Sequence, residues 1–225
     1  MSNRALRLLA VITFCGGAAA CSGPEGKVVD NYFNAVKAQD NQTLSSFAAV
    51  TFSEPVESWK VLGSHDQPAT PATLPQLSAK ARDLDAQQAT NKKAAQTYFN
   101  QHYADIDKVR ELKKKNANAP VPAALAAVNG EWEKYNEKDR DLKKQVAAAK
   151  VDLEKEKRAV RLSVGDVDGV EDIPGEVQTK TVDVEVVSKG QAKPYTMTLR
   201  RYDLKRESGS RNDGRWVVQD LKGKT

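Results

Sequence analysis

Thiols, imidazoles and clustered carboxylates are the groups that attack carbonyls or hold metals, and this chain has few of them. Its 225 residues include two cysteines, Cys15 and Cys21, and two histidines, His65 and His102. Two thiols cannot complete a tetrahedral zinc site or a disulfide scaffold. His65 lies in a Pro-rich stretch and His102 on a helical seam, too isolated for a ligand pair or a Ser/His/Asp triad. Asp166, Asp168, Glu171 and Asp172 crowd one short run, but it lacks the bidentate Glu of a calcium loop and Pro174 follows, so a solvated acidic turn is expected. Asp30 and Tyr32, two residues apart, diverge on a helical wheel. No catalytic constellation, cofactor motif or metal site is expected.

The one thiol with an evident use is at the N-terminus. A basic start with Arg4 and Arg7 leads into the short apolar run Leu8–Gly17, too short to span a bilayer, and then into Ala18-Ala19-Ala20-Cys21 followed by Ser22-Gly23-Pro24. This resembles the lipobox of bacterial lipoproteins, with Ala18 where Leu is commoner. The resemblance implies cleavage between Ala20 and Cys21, acylation of the Cys21 thiol and amine, and membrane anchoring through those chains, at about 0.8 kcal/mol per buried methylene. Ser22 lacks the Asp of the inner-membrane retention signal, which implies the outer membrane, facing the periplasm. An ordinary signal peptide cut at the same Ala-x-Ala sequence would instead leave a soluble chain with a free thiol.

Charge narrows the function further. The chain has 35 basic and 30 acidic residues, a net of +5, of which Arg4 and Arg7 belong to the signal, leaving +3. Its mean hydropathy of −0.61 excludes a polytopic membrane protein. Nucleic-acid binding would want a concentrated basic stripe with stacking aromatics, whereas these charges alternate in sign, so no nucleic-acid partner is expected.

The spacing of apolar residues predicts the elements. Val28, Val29, Tyr32, Phe33 and Val36 recur at helical spacing, Leu44 and Phe47 continue on a second short helix, and Val56–Val61 alternates as a strand. His65–Pro75 reads as a connector, with Thr73 as a helix N-cap and Pro75 in the first turn. Positions 125, 128, 132, 135, 139, 142, 146, 149, 153, 156 and 160 then form a heptad seam, with a looser one upstream from Leu74 to Leu112. Asn116–Pro122 breaks the pattern, so residues 73–161 are expected to form an antiparallel coiled-coil hairpin of two helices of nearly forty residues, each roughly 60 Å long. Residues 162–225 switch to period two. Val182, Val184 and Val186 share one strand face and Tyr195, Met197 and Leu199 another, around a turn at Ser188–Gln191; a polar loop from Leu204 to Gly214 precedes the closing strand from Arg215 to Leu221.

Helices first, one strand, then long paired strands resemble the nuclear-transport-factor-like, cystatin-like α+β roll. The resemblance rests on Tyr32-Phe33-Asn34-Ala35-Val36, Asp40 and Leu44–Phe47 at one end and Gly214-Arg215-Trp216-Val217-Val218 at the other. It implies a roll built from residues 21–64 and 162–225, with the 73–161 hairpin inserted. That fold hosts binders and enzymes alike, so it does not choose a function.

The hairpin carries the remaining candidates. Lys113, Lys114 and Lys115 either complement a helix C-terminal dipole or present a basic tip to anionic envelope material. Trp132 and Tyr135 either pack the seam or seat a partner helix. Asp139 and Glu156 on the seam must meet Lys or Arg across the hairpin or mark where it opens. The expectation is a non-catalytic envelope lipoprotein that binds or scaffolds an envelope protein or polymer through the hairpin. A small-ligand-binding roll with the hairpin as lid or oligomerisation arm is the alternative, and an envelope isomerase or hydrolase a third reading.

Overall fold

The computed structural model describes residues 23–224. Ala20, Cys21 and the expected signal lie outside the described residues. Within them, five α-helices and a five-stranded antiparallel sheet form an α+β fold.

The chain opens with α1 (Pro24–Lys37), where proline sits in the first turn, whose N–H groups are free anyway. Val29, Tyr32 and Phe33 recur at helical spacing and are buried. The Asp40 carboxylate accepts from the Thr43 N–H at 2.9 Å and so caps α2 (Asn41–Phe47). Asp30 does turn away from Tyr32: it accepts from the Trp59 indole N–H at 2.9 Å, tying α1 to β1 (Ser58–Pro71).

The expected connector from His65 is instead strand as far as Pro71, paired with β2 (Gly175–Ser188) from Ser58↔Val187 to Pro71↔Glu176. Proline survives because β1 is an edge strand. The register shifts between Gln67 and Thr70, so Pro68 sits in an irregularity of the ladder. β2 turns into β3 (Gln191–Lys205) through Lys189 and Gly190, both left-handed at φ 51° and 72°. On the far side of β3 lie β4 (Arg211–Asp213) and β5 (Val217–Gly223), so part of the expected polar loop at 204–214 is itself paired.

One sheet carries two cores. Val182 pairs with Met197 and Val177 with Tyr202 in unbroken register, but 177 and 182 have opposite parity and face opposite sides. Val182, Val184, Val186, Met197 and Leu199 pack against Tyr32 and Phe33 of α1 and Leu44 of α2. Val177, Tyr202 and Leu204 pack on the other face against Leu74, Ala159, Val160, Val170 and Ile173.

Those last residues root a helical arm made of α3 (Leu74–Gln101), α4 (Tyr103–Lys115) and α5 (Ala123–Val164). The arm enters and leaves the sheet at one point, where the Ala72 N–H donates to the Gly175 carbonyl at 2.8 Å. Ala81 and Leu84 of α3 meet Leu142, Val146 and Ala149 of α5, and every position of the expected seam from 125 to 160 is buried or half-buried.

The first half of the hairpin is not one helix. Tyr98 bonds the Val128 carbonyl and Asn91 the Tyr135 carbonyl, so Glu133 lies level with about residue 93. A straight helix would carry Lys113 roughly 30 Å farther on. Its Nζ is instead 3.6 Å from Glu133. The chain turns at His102 (φ −119°, ψ 21°), and α4 folds across the end of α5, burying Ile106 and Val109. Paired helix therefore extends about 42 Å, the length of α3, rather than 60 Å.

Where the arm meets the sheet, Ser163 Oγ donates to the Arg215 carbonyl at 2.7 Å and accepts from the Tyr202 N–H at 3.1 Å. A Cβ on Gly214 would collide with this hydroxyl and with the Tyr202 carbonyl. Gly214→Ala is therefore expected to cost about 2 kcal/mol by overpacking, read as a lower urea midpoint at unchanged slope. A midpoint equal to that of the native chain would show that the junction yields.

Candidate functional site

The far end of the arm gathers most of the aromatic side chains outside the sheet cores. His102 lies 4.4 Å from Tyr98, and Tyr98 5.5 Å from Tyr135, between ring centroids. On the other flank Phe99 meets Trp132 at 5.5 Å and Tyr103 at 5.4 Å, and the Arg110 guanidinium lies over both Phe99 (5.0 Å) and Trp132 (5.6 Å). Trp132 and Tyr135 thus belong to opposite flanks and form no pair of their own. Burial, with Glu131 and Tyr135 nearby, pushes the Tyr98 hydroxyl above its ordinary pKa, so it stays a donor, here to Val128.

Lys113 and Lys114 line a groove with Trp132, Ile106 and Asn129 between α4 and α5. Lys115 lies on the opposite side of α4, beside Leu112, Pro122 and Leu125, and Tyr135 with Thr97 and Tyr98 on a third side. The structure therefore brings Lys113, Lys114 and Trp132 together and leaves Lys115 and Tyr135 apart from them. Sequence reasoning passed over Arg110, Phe99 and Tyr103. The adjacent aromatics Tyr98 and Phe99 were the available signal, since neighbours on a helix cannot share one seam.

The second polar cluster sits at the arm's root. Glu156, 8% exposed, accepts from Thr73 Oγ1 at 3.0 Å and Tyr202 Oη at 3.1 Å, with Arg200 at 3.5 Å. Its partners come from the sheet and the foot of α3 rather than from across the hairpin. Thr73 spends its hydroxyl here and makes no capping bond. Asp139 finds Lys143 one turn along its own helix at 2.6 Å. Burial, reinforced by Glu156, pushes the Tyr202 hydroxyl up to about 12. With both Glu156 oxygens engaged and the Tyr202 hydroxyl kept as a donor, the group locks arm to sheet. Above it opens a groove of about 930 Å³, lined by residues of both signs that include Lys155, Arg158, Asp152 and Asp220.

His65 lies on β1, 4.0 Å from Asp183 and largely exposed. Among the described residues no three His, Cys, Asp or Glu side chains converge as around a metal ion. The acidic turn does not simply face water: Glu171 pairs with Lys157, and Asp172 with Arg82 at 2.9 Å, bracing the arm. The Lys157 hydrogen bond, helped by a backbone N–H, holds the Glu171 carboxyl below its ordinary 4.5. A depressed folded-state value means that this stabilisation is complete above 4.5 and lost as pH falls through the folded value. Glu171→Gln is expected to lower thermal stability at neutral pH and flatten its fall below 4.5; an identical acid slope in both proteins would disprove the contribution.

No helix among the described residues is long and apolar enough to cross a membrane. The chain was compared with known protein families, curated proteins and solved structures, and nothing matches in any of the three.

Proposed function

We propose that this chain is a lipid-anchored, periplasm-facing envelope protein that binds another envelope component through the far end of its helical arm, without catalysis. In this reading the sheet with α1 and α2 is a cystatin-like roll, the arm is inserted in it, and acyl chains on Cys21 hold it to the outer membrane. One observation carries the binding assignment. The far end of the arm leaves Tyr103 55% exposed and Leu112 38% exposed, the latter beside Lys108 and Lys115, about 40 Å from the sheet.

A photo-crosslinker at Lys114 and at Glu137 in cells, followed by mass spectrometry, tests it. One recurrent envelope adduct at Lys114 is expected. Adducts only with the chain itself, or none, would refute it.

A second reading is a small-ligand site with the arm as lid. The face of the sheet expected to hold such a ligand is filled by Tyr32 and Phe33. The groove above Glu156 is where a ligand could enter, and this reading requires binding to survive removal of the arm's far end.

A further inference from the structure

We propose that the far end of the arm docks on a lipid surface bearing anionic headgroups. This rests on the arm being the binding part of the chain and names what it binds. From Leu112 to Gly130 the sequence contains Lys113, Lys114 and Lys115 and no carboxylate. That stretch forms the end of α4, the connection 116–122 and the start of α5, at the far end of the arm from the sheet.

Part of the charge there is available, since Lys113 is held at 3.6 Å by Glu133 of α5. Among the described residues Lys115 has no carboxylate partner, and Arg110 rests on aromatic rings. Lys114 reaches Glu111 on its own helix with its side chain 77% exposed, a pair that water largely screens. Over α4 as a whole, five basic residues outnumber three acidic ones.

Apolar groups are interleaved with this charge. Leu112, Pro122 and Leu125 line a shallow notch rimmed by Lys108, Lys115 and Glu111. Tyr103 and Leu112 protrude. Lysines meet headgroup phosphates at about 1 kcal/mol each near an anionic surface, while tyrosine and leucine enter the interfacial layer below them. A soluble anionic polymer would satisfy the lysines but leave Leu112, Tyr103 and the notch in water, so the lipid surface is the better fit. Cys21 stands just before Pro24, the start of α1. An acyl anchor there would hold the sheet end to one membrane and leave the arm to reach a second surface.

The test uses the full acylated chain inserted in phosphatidylcholine vesicles, mixed with labelled vesicles of phosphatidylcholine alone or with phosphatidylglycerol. Docking is read by co-flotation. It should appear only with phosphatidylglycerol and fall several-fold with added salt. Lys115→Glu, which breaks no ion pair, should reduce docking several-fold. Tyr103→Ser with Leu112→Ser should reduce it comparably with the charges intact. Equal docking to both vesicle types, or none by a folded chain, would overturn the proposal. Retention on an anionic polysaccharide matrix without vesicle docking would overturn it in favour of a polymer. Envelope-protein adducts at Lys114 without vesicle docking would overturn the lipid assignment alone and leave the arm as the binding part.

Discussion

Phe33→Ala should lower the stability of the chain by about 4 kcal/mol, the range for emptying a fully buried aromatic site. Phe33 is 0% exposed, meets Tyr32 and Phe52 edge-on at 5.2 and 6.1 Å, and stacks on Trp59 at 5.5 Å. No neighbour can collapse easily into the space, because α1, β1 and the chain before β1 each hold one wall. In a domain of this size the loss corresponds to roughly 10 °C in melting temperature. Because β2 and β3 serve both cores, the helical signal of the arm should melt together with the sheet. A variant whose arm unfolds at the native temperature while the sheet loosens would show that the two cores are energetically separate.

Glu156→Ala should cost about 3 kcal/mol, because it strands partners as well as removing bonds. Arg200, Tyr202 and Thr73 would all face the vacated position. Arg200 Nε already lacks a partner within the protein, and Nη1 would keep only the long contact to the Tyr202 hydroxyl at 3.5 Å. Glu156→Gln keeps an oxygen for Tyr202 and Thr73 and loses only the charge facing Arg200, so about 1 kcal/mol is expected. Chemical denaturation of both variants checks the ordering. Equal losses would mean that the charge, not the hydrogen bonds, holds the arm's root.

How much of this was legible depended on whether local pattern or distant pairing decided each element. The seam from Leu125 to Val160 and the alternation around Val182–Val186 record burial directly, and both elements formed as the spacing predicts. The bend at His102 left no mark, since no glycine or proline stands there and Ile106 and Val109 keep the heptad phase across it. Only their place beside Asn129 and Trp132 of α5 shows that they left the seam's line. The extension of β1 was hidden by Pro68 and Pro71, which read as breakers unless the strand is known to be an edge. Glu156 was visible as a costly seam carboxylate, yet its partners Arg200 and Tyr202 sit on a strand whose approach no local pattern reveals. Among candidate site residues, Lys113, Lys114 and Trp132 were found from type and position, whereas Arg110 became relevant only once α4 folded back over Phe99.

The closeness of the arm's two ends, where Ala72 bonds Gly175, gives the arm the properties of a ruler. Chain enters and leaves the sheet at adjacent points, so nothing in the sheet fixes how long the intervening helices must be. Deleting one heptad from α3 and the matching heptad from α5 keeps the seam in phase and withdraws the far end by about 10 Å. Adding one extends it equally. The span between sheet and far end can therefore be reset in discrete steps, by evolution or by design, while both sheet cores remain untouched.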